Sequence, residues 1–321
     1  MEIRKLGRTG LKISELCLGT MTFGWIDEAD SLAIMDRAWE AGINCFDTAD
    51  IYSRWIEGNV GGESETVIGK WLRGKPREQV VLATKVRGRM WDGPNGEGLS
   101  RAHIMAAVEG SLRRLGTDYI DLYQVHWPDD DTPLDETQRA LDDLVTQGKV
   151  RYLGASNHRA WRLTKALWVS DKHGYARYDC LQPHYHLLKR PEVEPDLRDL
   201  CLDQGIGLIP YSPLAGGFLT GKYTRGHIPP GSRGETFSSI KNYMTDQGFA
   251  VVERLGELGA ARGKTTAQMA LGWLLTLPHV TAPIIGARTV AQLEESLGAA
   301  GLRLRADEMA QLDDLTAVAG G

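Results

Sequence analysis

Short apolar runs alternate with longer amphipathic stretches along the whole chain. Eight runs predict strands: LCLGT (16–20), INCFDT (43–48), VVLATKV (80–86), IDLYQVH (120–126), VRYLGAS (150–156), CLQPHY (180–185), GLIPYS (207–212) and APIIGA (282–287). They are near-continuously apolar, the pattern of strands buried on both faces as in a parallel sheet. Helical patterns lie between them. In 27–42, Leu32, Met35 and Trp39 fall on one face, and Gly42 suits the stop. Segment 100–116 starts at a Ser100 cap and ends at Gly116, and 133–148 runs from Pro133 to Gly148. Thr132 offers that last helix a cap, with Asp135 three residues on.

Eight strands, each followed by a helix or a helix-containing segment, predict α/β architecture: a single (β/α)8 TIM barrel over residues 1–321. A doubly wound sheet would need G-x-G-x-x-G after its first strand, and that fingerprint is absent. Residues 3–16 read as an N-terminal β-hairpin turning at Arg8 to Gly10 and plugging the barrel bottom. The stretch 213–245, after the seventh strand, is a long loop, and such loops are usually functional or disordered.

Composition narrows the function classes. The net charge is −5 with both signs interspersed, which argues against a nucleic-acid or anionic-membrane partner. The run Asp129 to Asp131 reads as a solvated loop. The charged start MEIRKLGRTG is not a secretory signal, and no segment is apolar enough to span a membrane. The cysteines Cys17, Cys45, Cys180 and Cys201 are far apart and three lie in apolar runs, so reduced core thiols are expected. The expectation is a cytoplasmic protein acting on a small molecule.

A barrel does its chemistry at the C-terminal ends of its strands. Strand two ends in Asp47 with Tyr52 just beyond, strand three in Lys85 and strand four in His126. Strand one ends in Gly19, Thr20 and Met21, and strand five in Ser156 and Asn157. Strand six carries Gln182, strand seven ends in Tyr211 and Ser212, and strand eight runs into Gly286, Ala287 and Arg288. A phenol near its ordinary pKa of about 10 is a poor acid at neutral pH, and a neighbouring ammonium would lower that value. A carboxylate would hold the ammonium, and His126 could orient a substrate oxygen. Singly, Asp47 reads as a cap and His126 as a satisfied polar group. Together, the four make a proton donor aimed at a carbonyl oxygen.

The motifs GTMTFG (19–24), FDTADIY (46–52), LATKV (82–86), DLYQVHWPD (121–129), GASN (154–157), QPHY (182–185), YSPLAGGFLTGKY (211–223) and PIIGARTVAQLEESLGA (283–299) resemble those of the aldo-keto reductases, in that family's order. The resemblance covers almost the whole chain. It is closest to the bacterial branch that also resembles the potassium-channel β subunits. It implies NADPH across the barrel mouth, with NADH possible, and hydride transfer to an aldehyde or ketone. Tyr52 would be the general acid, Lys85 and Asp47 its tuning partners, and His126 the substrate orienter. Tyr211 would stack on the nicotinamide, and Ser156, Asn157 and Gln182 would hold its carboxamide. Ser212, Pro213, Leu214, Gly216, Leu219, Gly221 and Lys222 would line the pyrophosphate. Gly286, Arg288, Gln292 and Glu295 would hold the adenosine end, and Arg233 would close over it. Gly19, Thr20, Met21, Asp47 and Ile285 are assigned to the cofactor as well. Ser296 stands where the family usually has Asn, which shortens that donor.

Other features remain. GGFLTGKY (216–223) nearly spells a P-loop, but Tyr223 replaces the Mg²⁺-binding hydroxyl. His184 and His186 share a strand face without a nearby acid or thiol, so no metal site is expected. Trp25, Trp55, Trp91 and Trp127 follow strands one to four and suggest an aromatic substrate pocket beside Tyr52 and His126. Trp55 and the segment EGNVGGE (57–63) are expected to border it. Arg233 and Arg288 favour NADPH over NADH. Three functions stay open: a carbonyl reductase, a dehydrogenase oxidising a sugar or pyridoxal-like alcohol, and a cofactor-sensing regulatory subunit. The natural substrate and oligomeric state are not legible.

Overall fold

The computed structural model describes residues 1–236 and 238–316. An antiparallel hairpin comes first, β1 (Ile3–Lys5) and β2 (Lys12–Ser14). The Leu6 N–H donates to the Leu11 carbonyl and the Thr9 hydroxyl to the Leu6 carbonyl, which sets the turn at 8–10. Eight strands follow: β3 (Cys17–Gly19), β4 (Cys45–Asp47), β5 (Val81–Val86), β6 (Ile120–Val125), β7 (Val150–Ser156), β8 (Tyr178–Gln182), β9 (Gly207–Leu208) and β10 (Ile284–Gly286). All pair in parallel, in the order β10-β3-β4-β5-β6-β7-β8-β9. The Ile284 N–H donates to the Pro210 carbonyl at 2.8 Å and the Thr281 N–H to Leu208 at 2.7 Å, which closes the sheet into a barrel.

Helices α1 (Glu28–Glu40), α2 (Glu63–Leu72), α3 (Arg101–Leu115), α4 (Leu134–Thr146), α5 (Ala160–His173) and α6 (Leu197–Gln204) follow β3 to β8 in turn. Between β9 and β10 lie α7 (Arg233–Thr236), α8 (Asp246–Ala260) and α9 (Thr266–Thr276); α10 (Val290–Leu297) and α11 (Ala306–Thr316) come last. Among the described residues no helix is long and apolar enough to cross a membrane.

Strand side chains alternate between two cores. Leu18, Phe46, Leu82, Tyr123, Leu153 and Leu181 pack in the layer shared with the helices. Cys17, Cys45, Ala83, Leu122 and Cys180 fill the barrel, together with Leu6 and Ile13 of the hairpin. All four cysteines are free and buried. Two residues up four of these strands, the inward set becomes polar: Asp47 after Cys45, Lys85 after Ala83, Gln124 after Leu122 and Gln182 after Cys180. The fold thus lays a polar layer on an apolar plug at the C-terminal mouth.

Several local expectations change. The sixth and seventh strands end early, at Gln182 and Leu208, because Pro183 and Pro210 cannot donate to the ladder. Helix α1 buries Ser31, Ile34, Met35 and Ala38, while Leu32 and Trp39 sit at the margin. Small Ser31 and Ala38 let the helix approach the barrel, and the Ser31 hydroxyl is satisfied by the Asp27 carbonyl. Thr132 does not cap α4; its hydroxyl donates to Asp129 at 2.8 Å. Asp129 is buried rather than solvated, and also accepts the Leu99 N–H. The loop after β9 contains short helical turns at Ala215–Thr220 and Ser238–Tyr243 besides α7.

Candidate active site

Asp47, Tyr52, Lys85 and His126 converge at the mouth. The Lys85 side chain is 0% exposed and that of Asp47 2%. The Lys85 ammonium has three donors and places all of them: on Asp47 Oδ1 at 2.5 Å, the Thr48 carbonyl at 2.7 Å and the Tyr52 hydroxyl at 3.0 Å. The other carboxylate oxygen, Asp47 Oδ2, accepts from Gln124 at 3.0 Å and Gln182 at 2.8 Å. A buried charge is tolerable only when paired and hydrogen-bonded in this way.

The Gln124 contact is not among the sequence expectations. The signal was there: Gln124 stands two residues before His126 and pairs with Lys85 across β5 and β6. Its partner on the other side is Gly154. A Cβ at Gly154 would stand 2.9 Å from Gln124 Cγ, so only glycine leaves Gln124 its place. Gln182, expected to hold a carboxamide, uses Nε2 on Asp47 and on Gln124 Oε1. It nonetheless lines the cleft.

The electrostatics differ from the expectation for Tyr52. Burial raises the phenol above its ordinary value; Lys85 pulls it down, and Asp47 pushes it back up. The ammonium and carboxylate form a close pair, so their fields at the phenol largely cancel. Burial alone would lower the Lys85 ammonium, but Asp47 and Tyr52 outweigh it and hold it above its ordinary range. His126 is pushed well below its ordinary value by burial, then by Lys85 and Arg87. The site at neutral pH therefore holds a protonated phenol, a charged lysine and a neutral imidazole. The His126 ring packs on Tyr52 at 5.8 Å and on Trp127 at 4.3 Å. Asp50, near enough to Lys85 to feel its charge, is also unforeseen. Both its carboxylate oxygens are buried without a hydrogen bond among the described residues, and burial raises its pKa well above the carboxylate range.

A cleft of about 790 Å³ runs across the mouth. Its walls take Gly19, Met21, Asp47, Tyr52, His126, Ser156, Asn157 and Gln182. Tyr211, Ser212, Pro213, Leu214, Gly216 and Lys222 line it too, as do Arg233, Ile285, Gly286, Arg288, Gln292, Glu295 and Ser296. Tyr211 is stacked on His184 at 4.9 Å and donates to Asn157 Oδ1 at 2.9 Å. At Gly217, φ is 103°, and a Cβ would lie 3.1 Å from Lys222 Nζ. A side chain there would be strained and would crowd the lysine against the cleft.

Other expected contacts fall outside this wall. Thr20 is buried, its hydroxyl on the Asp47 carbonyl at 2.9 Å. Leu219 is wholly in the core, and Gly221 ends a helical turn against Thr266. Trp91 lies outside the cleft, packed on His103 at 4.9 Å, and Trp25 faces Arg288 rather than Tyr52. Trp55 and Trp127 do line the cleft. EGNVGGE does not: Glu63 accepts the Val60 and Gly61 N–H groups at the start of α2.

A parallel barrel whose mouth joins a buried carboxylate–lysine–phenol chain to a long cleft belongs among α/β-barrel oxidoreductases. Residues 15–317 match the Aldo/keto reductase family, and the chain belongs to it. It is 42% identical to the "Uncharacterized oxidoreductase YrpG" of Bacillus subtilis (strain 168), over 100% of this chain and 98% of that protein. It is 34% identical to the versiconal hemiacetal acetate reductase of Aspergillus parasiticus, covering 98% and 96%. To a probable voltage-gated potassium channel subunit beta of Oryza sativa subsp. japonica it is 36% identical, covering 93% and 91%.

Proposed function

We propose that this protein is an NADPH-dependent carbonyl reductase acting on an aldehyde or ketone, with Tyr52 as the general acid. The observation that carries the reading is the chain Asp47–Lys85–Tyr52, buried at its base and ending in a hydroxyl at the cleft. The cleft would take a dinucleotide phosphate. Arg233 and Arg288 lie close enough that, after burial, Arg288 is the next cause lowering the Arg233 pKa. Two guanidiniums crowded at one cleft end suit a dianionic phosphate. Ser156, Asn157 and Gln182 would hold the nicotinamide amide, Tyr211 its ring, and Ser212 to Lys222 the pyrophosphate. Bound NADPH would supply a hydride to the carbonyl carbon.

The chain's own residues do the rest. Neutral His126 donates one hydrogen bond to the carbonyl oxygen and orients it. Tyr52 gives that oxygen its proton, and Lys85 stabilises the phenolate left behind. Asp47, held by Gln124 and Gln182, keeps Lys85 in place. Trp55 and Trp127 wall the substrate side. Burial favours the protonated phenol, the form that gives up a proton in reduction. A reductase among the relatives supports the same direction. The regulatory reading has only the channel-subunit relatives behind it. A reducing compartment such as the cytoplasm fits the free cysteines.

A panel of aldehydes, ketones and sugars with both reduced cofactors tests the proposal. NADPH oxidation should depend on a carbonyl substrate. Tight NADPH binding with no turnover across the panel would favour the regulatory alternative. The pH profile adds a check. His126 stays neutral above its lowered pKa, and Tyr52 stays protonated below its raised one. So kcat/KM for reduction should stay level through the ordinary histidine range near about pH 6.5 and fall only above the ordinary phenol value of about 10. A narrow bell centred near pH 7 would contradict this assignment. Arg288→Ala should weaken NADPH roughly tenfold or more and NADH by less than about twofold, the loss of one charge-assisted contact. Titration calorimetry measures both; equal weakening would remove Arg288 from phosphate recognition.

A further inference from the structure

We infer that Trp25 is a positioning residue for Arg288, and that through it Trp25 sets the preference for a 2′-phosphorylated dinucleotide. This role rests on the NADPH reading above. The Arg288 guanidinium carbon lies 4.7 Å from the centre of the Trp25 ring, within cation–π range. The backbones carrying the two side chains are tied together. Thr22 Oγ1 donates to the Ala287 carbonyl at 3.2 Å, and the Trp25 N–H donates to the Thr22 carbonyl at 3.0 Å. Asn59 Nδ2 holds the other side of the turn through the Gly24 carbonyl at 3.0 Å. One short bridge between the β3 and β10 ends thus places both ring and guanidinium.

The chemical nature of the holder matters. A carboxylate would orient Arg288 but cancel its charge and compete with a phosphate. An aromatic face orients it and leaves its charge and N–H donors for an incoming anion. Among the described residues no carboxylate pairs with Arg288; Gln292 Oε1 takes only its backbone N–H, at 2.9 Å. A long side chain held before binding also loses less freedom on binding. NADH has no 2′-phosphate and gains nothing from a poised guanidinium.

The test is calorimetric titration of NADPH and NADH into wild type, Trp25→Leu, Trp25→Phe and Trp25→Leu/Arg288→Ala, with thermal melts as a folding check. Trp25→Leu should weaken NADPH about fivefold and NADH by less than about twofold, a change near 1 kcal/mol in the NADPH term. Trp25→Phe, which keeps a ring, should restore most of the preference. The double variant should bind NADPH as Arg288→Ala does, because the two residues act on one contact. If Trp25→Leu does not fold, Trp25→Met takes its place with the same expectation. A wild-type chain that binds both dinucleotides equally overturns the cofactor reading and this role with it. A wild-type preference that survives unchanged in Trp25→Leu overturns the Trp25 role alone. Equal weakening of both dinucleotides also overturns it, because the ring would then serve the shared adenosine.

Discussion

Tyr52→Phe should lower the rate of carbonyl reduction by about a hundred- to ten-thousand-fold, the range for losing a positioned general acid. The substitution removes one oxygen and little else. The ring keeps its contacts with Trp55 at 6.2 Å and His126 at 5.8 Å. Lys85 keeps Asp47 and the Thr48 carbonyl, so no buried charge loses its counter-ion. Arg233 and Arg288, also in the cleft wall, are untouched. Calorimetric NADPH affinity should therefore stay within about twofold and the fold intact, since a lone hydrogen bond contributes about 1 kcal/mol. Turnover within tenfold of wild type would remove Tyr52 from the proton transfer and the mechanism with it.

Lys85→Met should abolish activity and also destabilise the protein. It leaves Asp47, 2% exposed, without its cation, though with Gln124 and Gln182 still donating. Breaking a buried pair from one side costs about 3–5 kcal/mol. For a chain of this length that is a fall in Tm of roughly 4–8 °C. Replacing both charges is different. Asp47→Asn/Lys85→Met removes the pair and its desolvation together, and such exchanges are often neutral. The double variant should therefore melt nearer the wild type than Lys85→Met does, while remaining inactive. Lys85→Met melting with the wild type, or a double variant less stable than the single one, would show that the pair does not behave as a buried unit. Separate melts and turnover assays on the two variants decide this.

Much of the architecture was legible because it is written in local patterns. Apolar runs located all eight strands, and Ser100 and Gly116 marked the ends of α3. The places where structure departs from local pattern share a cause. Pro183 and Pro210 ended ladders that hydropathy alone would extend. Thr132 sat where a cap belongs, but Asp129, drawn inward by the Leu99 N–H, offered its hydroxyl a better partner. Trp25 and Trp91 follow strand ends as Trp55 and Trp127 do. Only the loops' paths separate them, and those paths depend on residues far away in the chain.

The sequence by itself determined the barrel, the polar residues at its strand ends and the chemistry those residue types permit. A strand alternates its side chains, and a barrel turns that period of two into an inside and an outside. Tertiary structure decided the rest. It set Lys85 between Asp47 and Tyr52, which come from the neighbouring strand and the loop beyond it. It added Gln124, which has a place only because Gly154 lacks a side chain. It also reversed the expected shift of Tyr52, because burial and a near-neutral Lys85–Asp47 pair act on the phenol together. Burial and charge cancellation are sums over residues from many strands, and no stretch of sequence contains that sum.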